Sequence, residues 1–185
     1  MQRLRHSVSL IFKLLIFKNM MRKLFVFGSI TILLASCIKS TENTCPYKDI
    51  TVTVPAAEAT SLQNYITANH PAAIQHSSGL FYEITTAGTG TVTPTVCSTV
   101  TVKYSGYLTS GYKFDENLSG YIEILGRLVL GWQKGLPLIK SGGSISLYLP
   151  PSMGYGNQNV TNPSGAVIIP ANSILIFNIQ LVAVQ

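Results

Sequence analysis

Residues 128–143 read LVLGWQKGLPLIKSGG. This stretch decides the fold, because it is the one helix-like piece in a region otherwise patterned as strands. From Trp132 to Ile139 it offers about two helical turns at most. Ser141-Gly142-Gly143 then breaks it. Trp132 is the only tryptophan in the chain. A lone tryptophan is ordinarily core, so its meaning depends on the segments around it.

Outward from this stretch, the pattern has a period of two. In STVTVKYSG (98–106), Val100, Val102 and Tyr104 alternate with Thr99, Thr101 and Lys103, as in a half-buried strand. SISLYLP (144–150) repeats the pattern with Ile145, Leu147 and Leu149. SILIFNIQLVAV (173–184) does so with Leu175, Phe177, Ile179 and Leu181. GLFYEITTAGTG (79–90) sets Leu80, Tyr82 and Ile84 against Phe81, Glu83 and Thr85. Glycine turns separate these runs. Several antiparallel strands with one short helix imply an α+β fold, an antiparallel sheet with the helix laid across one face.

The chain of 185 residues allows one domain plus extras. Its net charge of +6 is localised. Arg3, Arg5, Lys13, Lys18, Arg22 and Lys23 precede residue 37, where no acidic residue stands, and the remainder is neutral. With no Lys/Arg stripe among exposed aromatics, no nucleic-acid partner is expected.

MRKLFVFGSITILLASC (21–37) has the plan of an export signal. Arg22 and Lys23 form the charged region, 24–34 the apolar region, and Ala35-Ser36 the small residues before cleavage. The apolar run falls short of the roughly 20 residues a membrane span needs. Leu34-Ala35-Ser36-Cys37 resembles the bacterial lipobox, which implies lipidation of Cys37 and a membrane anchor through it. Residues 1–36 are therefore expected to be signal, residues 1–20 being either a mis-assigned start, with translation beginning at Met20 or Met21, or a lengthening of that signal. The expected location is the bacterial cell envelope on the periplasmic side, the outer membrane being favoured. With Cys37 lipidated, Cys45 and Cys97 remain as an even pair in an oxidising compartment. They form either a disulfide, which would pin the tail to the domain, or two free buried thiols. No metal site is expected, because no Cys-x-x-Cys occurs and His70 and His76 lack a ligand set.

Residues 37–54 are polar and suit a lipidated tether. PAAEATSLQNYITANHP (55–71) suits a helix, with Pro55 at its first position and Pro71 closing it. Ala59, Leu62, Tyr65, Ile66 and Asn69 share one face, which either packs on the following domain or dimerises. Residues 55–78 are thus an N-terminal helix and linker, and 79–185 the main domain.

The usual catalytic constellations are missing. No histidine follows His76, and Glu83, Asp115, Glu116 and Glu123 form no spaced acid–base pair. No glycine loop precedes a helix in phosphate-binding form. Few ionisable groups leave binding, or a reaction that breaks no bond. Rotation about an X-Pro amide is such a reaction, with a barrier of about 18–20 kcal/mol.

Four segments carry a resemblance: VTVKYSGYLTSGYKFDEN (100–117), LGRLVLGWQKGL (125–136), YLPPSMGYGN (148–157) and IIPANSILIFNIQLV (168–182). Together they resemble the FKBP family of peptidyl-prolyl cis-trans isomerases, over residues 79–185. The resemblance implies an antiparallel sheet curled around one short helix. It implies that Trp132 floors a proline pocket, with Gly131 letting the chain turn into the helix. Phe114, Asp115 and Tyr155 join Trp132 as the catalytic set, Tyr155 donating to the ligand carbonyl. Tyr104, Leu128, Val129, Ile169 and Phe177 are implied substrate-binding residues, the backbone N–H of Val129 being a second donor. The wall residue in ENLSGYIEILG (116–126), a short variable segment after Asp115, is Tyr121 or Ile122. NQNVTNPSGAV (157–167) is expected to overhang the pocket. No cofactor is implied. The implied partners are proline-containing unfolded or exported polypeptides and macrolide inhibitors such as tacrolimus. A non-catalytic peptide-binding chaperone or envelope assembly module using the same pocket is the alternative.

Overall fold

The computed structural model describes residues 45–185. The expected signal, the lipidated Cys37 and the first part of the tether lie outside the described residues. Helix α1 (Ala56–Asn69) comes first, followed by β1 (Ile74–Gln75), β2 (Phe81–Thr86), β3 (Thr99–Leu108) and β4 (Lys113–Ile124). Then come the short helix α2 (Leu130–Gly135), β5 (Ser144–Leu149), β6 (Val160–Thr161), β7 (Val167–Ile169) and β8 (Leu175–Val184). One antiparallel sheet has the order β1-β2-β5-β8-β3-β4, and β6 pairs with β7 in a separate hairpin. Residues Cys45–Gln185 form one compact unit.

The alternating strands place Val100, Val102, Ile145, Leu147, Leu149, Leu175, Phe177, Ile179 and Leu181 in a single core with Trp132 and Leu136 of the helical stretch. The register explains the grouping, since Leu147 lies opposite Phe177, Leu149 opposite Leu175 and Ile145 opposite Ile179. Helix α2 begins two residues earlier than the sequence suggests and continues into a 3₁₀ turn, Leu136–Leu138.

The role of Gly131 differs from the expected one. It lies inside α2 and does not turn the chain into it. A Cβ at Gly131 would come within 2.3 Å of both Leu149 methyls, and one at Gly135 within 2.5 Å of both Leu147 methyls. The two glycines stand one helical turn apart, so they form a bare stripe that presses onto β5. Close approach, rather than backbone freedom, is what these glycines supply.

The sheet is also covered on part of its other face. In β2 both Leu80, just before the strand, and Phe81 are buried, against the simple alternation. Leu80 enters the main core, while Phe81 packs with Tyr148 beneath Leu62 and Ile66 of α1. Of the alternatives for α1, packing on the domain is the one seen. Pro55 is the N-cap rather than the first helical residue. Burying a Leu or Ile side chain stabilises by about 1.5–3 kcal/mol, so Leu62 and Ile66 suffice to hold a helix this short.

Residues 116–124, expected as a short variable segment, continue β4 as an edge strand of 12 residues. The arm at 45–54 belongs to the same unit. Cys45 and Cys97 are disulfide-bonded with their Cα atoms 5.6 Å apart. Lys134 pairs with Asp49, and Val52 and Val54 pack on the core. Among the described residues no helix is long and apolar enough to cross a membrane.

Gly131→Ala is expected to destabilise the fold by about 1–3 kcal/mol, because Leu149 is fully packed and has nowhere to move. A lower urea midpoint with an unchanged m-value would show it.

Candidate active site

The concave side of the sheet leaves a cavity of about 300 Å³ beside α2. Tyr104 reaches it from β3, Asp115 and Tyr121 from β4, and Phe177 from β8. Leu128 and Val129 reach it from the approach to α2, Trp132 from the first turn of α2, and Tyr155 from the loop after β5. Arg127 completes the lining. Two larger cavities elsewhere among the described residues, of about 570 and 700 Å³, gather no comparable set of aromatic side chains. Nothing from the 157–167 segment lines this one.

Three aromatic rings build the base. Trp132 meets Tyr104 edge-on at 5.0 Å and 79° between planes, and Phe177 at 5.2 Å and 88°. Such edge-to-face pairs contribute about 0.5–1.5 kcal/mol each beyond their buried area. The indole is only 4% exposed, yet it forms part of the cavity wall. Its Nε1 is buried with no hydrogen-bond partner among the described residues.

The rim is polar. The Tyr104 hydroxyl donates to Asp115 Oδ2 at 2.6 Å, and the Glu116 N–H donates to Asp115 Oδ1 at 2.8 Å. Both carboxylate oxygens are thus engaged, which orients Asp115 at the cavity mouth. Burial first, and the bond to Asp115 second, push the Tyr104 hydroxyl well above its ordinary ionisation range. Tyr155 is raised as well, by burial and then by the negative charge of Asp115, and it stays a protonated donor at neutral pH. The Val129 N–H makes no hydrogen bond among the described residues. The site therefore offers two free donors, the Tyr155 hydroxyl and the Val129 N–H, above an apolar floor.

Most of the residues expected from the sequence come together here: Tyr104, Asp115, Tyr121, Leu128, Val129, Trp132, Tyr155 and Phe177. The choice between Tyr121 and Ile122 falls to Tyr121, since Ile122 points outward and is 65% exposed. Phe114 and Ile169 do not line the cavity. Phe114 stands behind it, edge-on to Phe177 at 5.5 Å, in space left open by the missing side chain of Gly106. Ile169 is buried in the core. Arg127 was not anticipated. It is held by its Nε–H bond to the Tyr47 hydroxyl at 2.8 Å and by Glu123 at 3.3 Å. Its position just before Leu128 was the available signal. Among the described residues no group of three or more His, Cys, Asp or Glu side chains could hold a metal ion.

Residues 90–182 match the profile of the family described as FKBP-type peptidyl-prolyl cis-trans isomerase. The chain belongs to this family. It is similar to the FKBP-type peptidyl-prolyl cis-trans isomerase FkpA of Buchnera aphidicola subsp. Schizaphis graminum, with 42% identity over 112 residues, 59% of this chain and 42% of that protein. The FkpA of Escherichia coli strain K12 is 38% identical over 112 residues, 59% of this chain and 39% of its own. The chain thus spans about two-fifths of the length of these relatives. The crystal structure of FkpA from Escherichia coli superposes with a TM-score of 0.59 at 32% identity, covering 70% of this chain and 60% of that one. A peptidyl-prolyl isomerase structure from Pseudomonas syringae pv. tomato has a TM-score of 0.60 at 24% identity, covering 72% and 98%, which is a likeness of fold. The FKBP-type sheet curled around a short helix is therefore the fold of this chain.

The Tyr104–Asp115 bond is partly solvated, so its loss is expected to cost about 1 kcal/mol, below the range for buried charged bonds. A double-mutant cycle of Tyr104→Phe and Asp115→Ala, read by urea unfolding, should return a coupling of about that size.

Proposed function

We propose that this chain is a peptidyl-prolyl cis-trans isomerase that acts on X-Pro bonds of exported proteins while anchored in the bacterial envelope through lipidated Cys37. The observation that carries the catalytic part is the pairing of two unengaged donors, the Tyr155 hydroxyl and the Val129 N–H, with the aromatic floor at Trp132. The family relatives support the same activity by name.

The chemistry follows from what an amide loses when it twists. A planar X-Pro amide is resonance-stabilised, and half-rotation removes that resonance along C–N. No bond breaks, so neither a nucleophile nor a general base is required. The apolar floor receives the prolyl ring. The two donors, fixed in advance, hold carbonyl oxygens of the peptide while the C–N bond turns. Preorganised donors of this kind need no reorganisation during the reaction. A millionfold acceleration requires about 8 kcal/mol of preferential stabilisation. One neutral hydrogen bond nets about 0.5–1.5 kcal/mol, so the preformed cavity supplies most of the effect. Asp115, with both oxygens occupied, orients Tyr104 at the mouth.

The lipobox-like 34–37 segment supports the anchor, and the Cys45–Cys97 disulfide suits an oxidising compartment. Macrolides of the tacrolimus kind would compete with peptides for the cavity.

Wild type is expected to accelerate isomerisation of an X-Pro peptide. Trp132→Ala should lower kcat/KM by about tenfold or more, equivalent to about 1.4 kcal/mol. Asp115→Ala should lower it less. A wild type that binds unfolded chains and leaves the uncatalysed rate unchanged would replace the enzyme with a peptide-binding chaperone. Fatty-acid labelling that persists in Cys37→Ala would remove the anchor.

A further inference from the structure

Gln133 follows Trp132 in α2, so the two side chains leave the helix about 100° apart. Trp132 lines the candidate active-site cavity, whereas Gln133 lines the separate cavity of about 570 Å³. The Gln133 side-chain N–H₂ donates to the Leu128 carbonyl at 2.8 Å and to the Gly126 carbonyl at 3.3 Å. Gln133 is the only hydrogen-bond partner of the Leu128 carbonyl among the described residues. The backbone on either side is extended, with φ −84° and ψ 167° at Leu128 and φ −55° and ψ 147° at Val129. No ladder or helical bond therefore fixes how the Leu128–Val129 peptide plane is turned.

That peptide is trans. In a planar trans peptide the C=O and N–H point in opposite directions. Drawing the Leu128 C=O toward Gln133 therefore turns the Val129 N–H away from Gln133. Leu128 and Val129 line the active-site cavity and not the cavity that Gln133 lines. We infer that Gln133 is a positioning residue, whose amide aims the Val129 N–H into the isomerase cavity and holds it there for a substrate carbonyl. Gln133 touches no substrate and acts through the peptide plane. The inference rests on the isomerase reading and adds to it a residue that the pocket lining does not contain.

The test compares wild type with Gln133→Glu and Gln133→Met in an X-Pro peptide isomerisation assay, with the Val129 amide followed by ¹⁵N NMR. At about pH 8 the carboxylate of Gln133→Glu has no proton to give two carbonyls. Both variants should then lose about tenfold in kcat/KM, and the Val129 resonance should move in both. Facing carbonyl oxygens, that carboxylate binds its proton above the ordinary glutamate value of about 4.3. At about pH 5 the protonated Glu can donate to the Leu128 carbonyl. Gln133→Glu should then recover toward wild type in rate and in the Val129 resonance, while Gln133→Met should not. Wild-type activity in Gln133→Glu at pH 8, or equal loss in both variants at both pH values, would overturn the inference and leave the isomerase reading standing. Should wild type itself prove inactive, the isomerase reading fails, and the Val129 resonance alone decides the positioning: movement supports it and an unmoved signal overturns it.

Discussion

The contact between α2 and β5 governs the rest of the molecule. Gly131 and Gly135 let the helix lie directly on Leu149 and Leu147. That proximity sets the depth at which Trp132 meets Tyr104 and Phe177, and so sets the floor of the cavity. Larger residues at either glycine would lift the helix away from the sheet. The indole would then lose its two edge-on partners, and the Leu128–Val129 approach would shift with it. A core packing term and a site geometry are thus one constraint, as expected where interiors are close-packed and transmit displacement.

The N-terminal segments reach the site from two sides. The disulfide-held arm brings Tyr47 to Arg127 at one rim. From α1, the Glu58 carboxylate accepts the Ser152 N–H at 2.8 Å, three residues before Tyr155. Neither segment contributes a lining residue, yet each braces a stretch that does. Much of this bracing lies outside residues 90–182, the part that matches the family profile. The extension is therefore integral to the unit, even though the composition of 45–54 reads as a tether.

The strands with strict alternation were legible in the sequence because one face of each is buried in a single core. Leu175, Phe177, Ile179 and Leu181 all bury as the pattern requires. Strand β4 was not legible, because KFDENLSGYIEI carries polar and apolar side chains on both faces, as an edge strand can. The same weakness left Tyr121 and Ile122 undecided. They are neighbours that point to opposite faces, and the pairing of Val102 with Tyr121 separates them. Phe81 also escaped the pattern, because it is covered by helix α1 on the other face of the sheet. Trp132, Asp115 and Tyr155 could be named from local motifs. Gln133 could not, since it acts on a backbone carbonyl and its side chain carries no motif of its own.

One feature of composition gains meaning from where it lies. The chain has a single indole, and that indole is wedged between Tyr104 and Phe177 at the cavity floor. Light absorbed at the red edge of the aromatic band is therefore captured at one place only. The emission colour and lifetime of that chromophore report whether the hollow holds solvent or a guest, without any attached dye. The molecule carries its own optical gauge of occupancy.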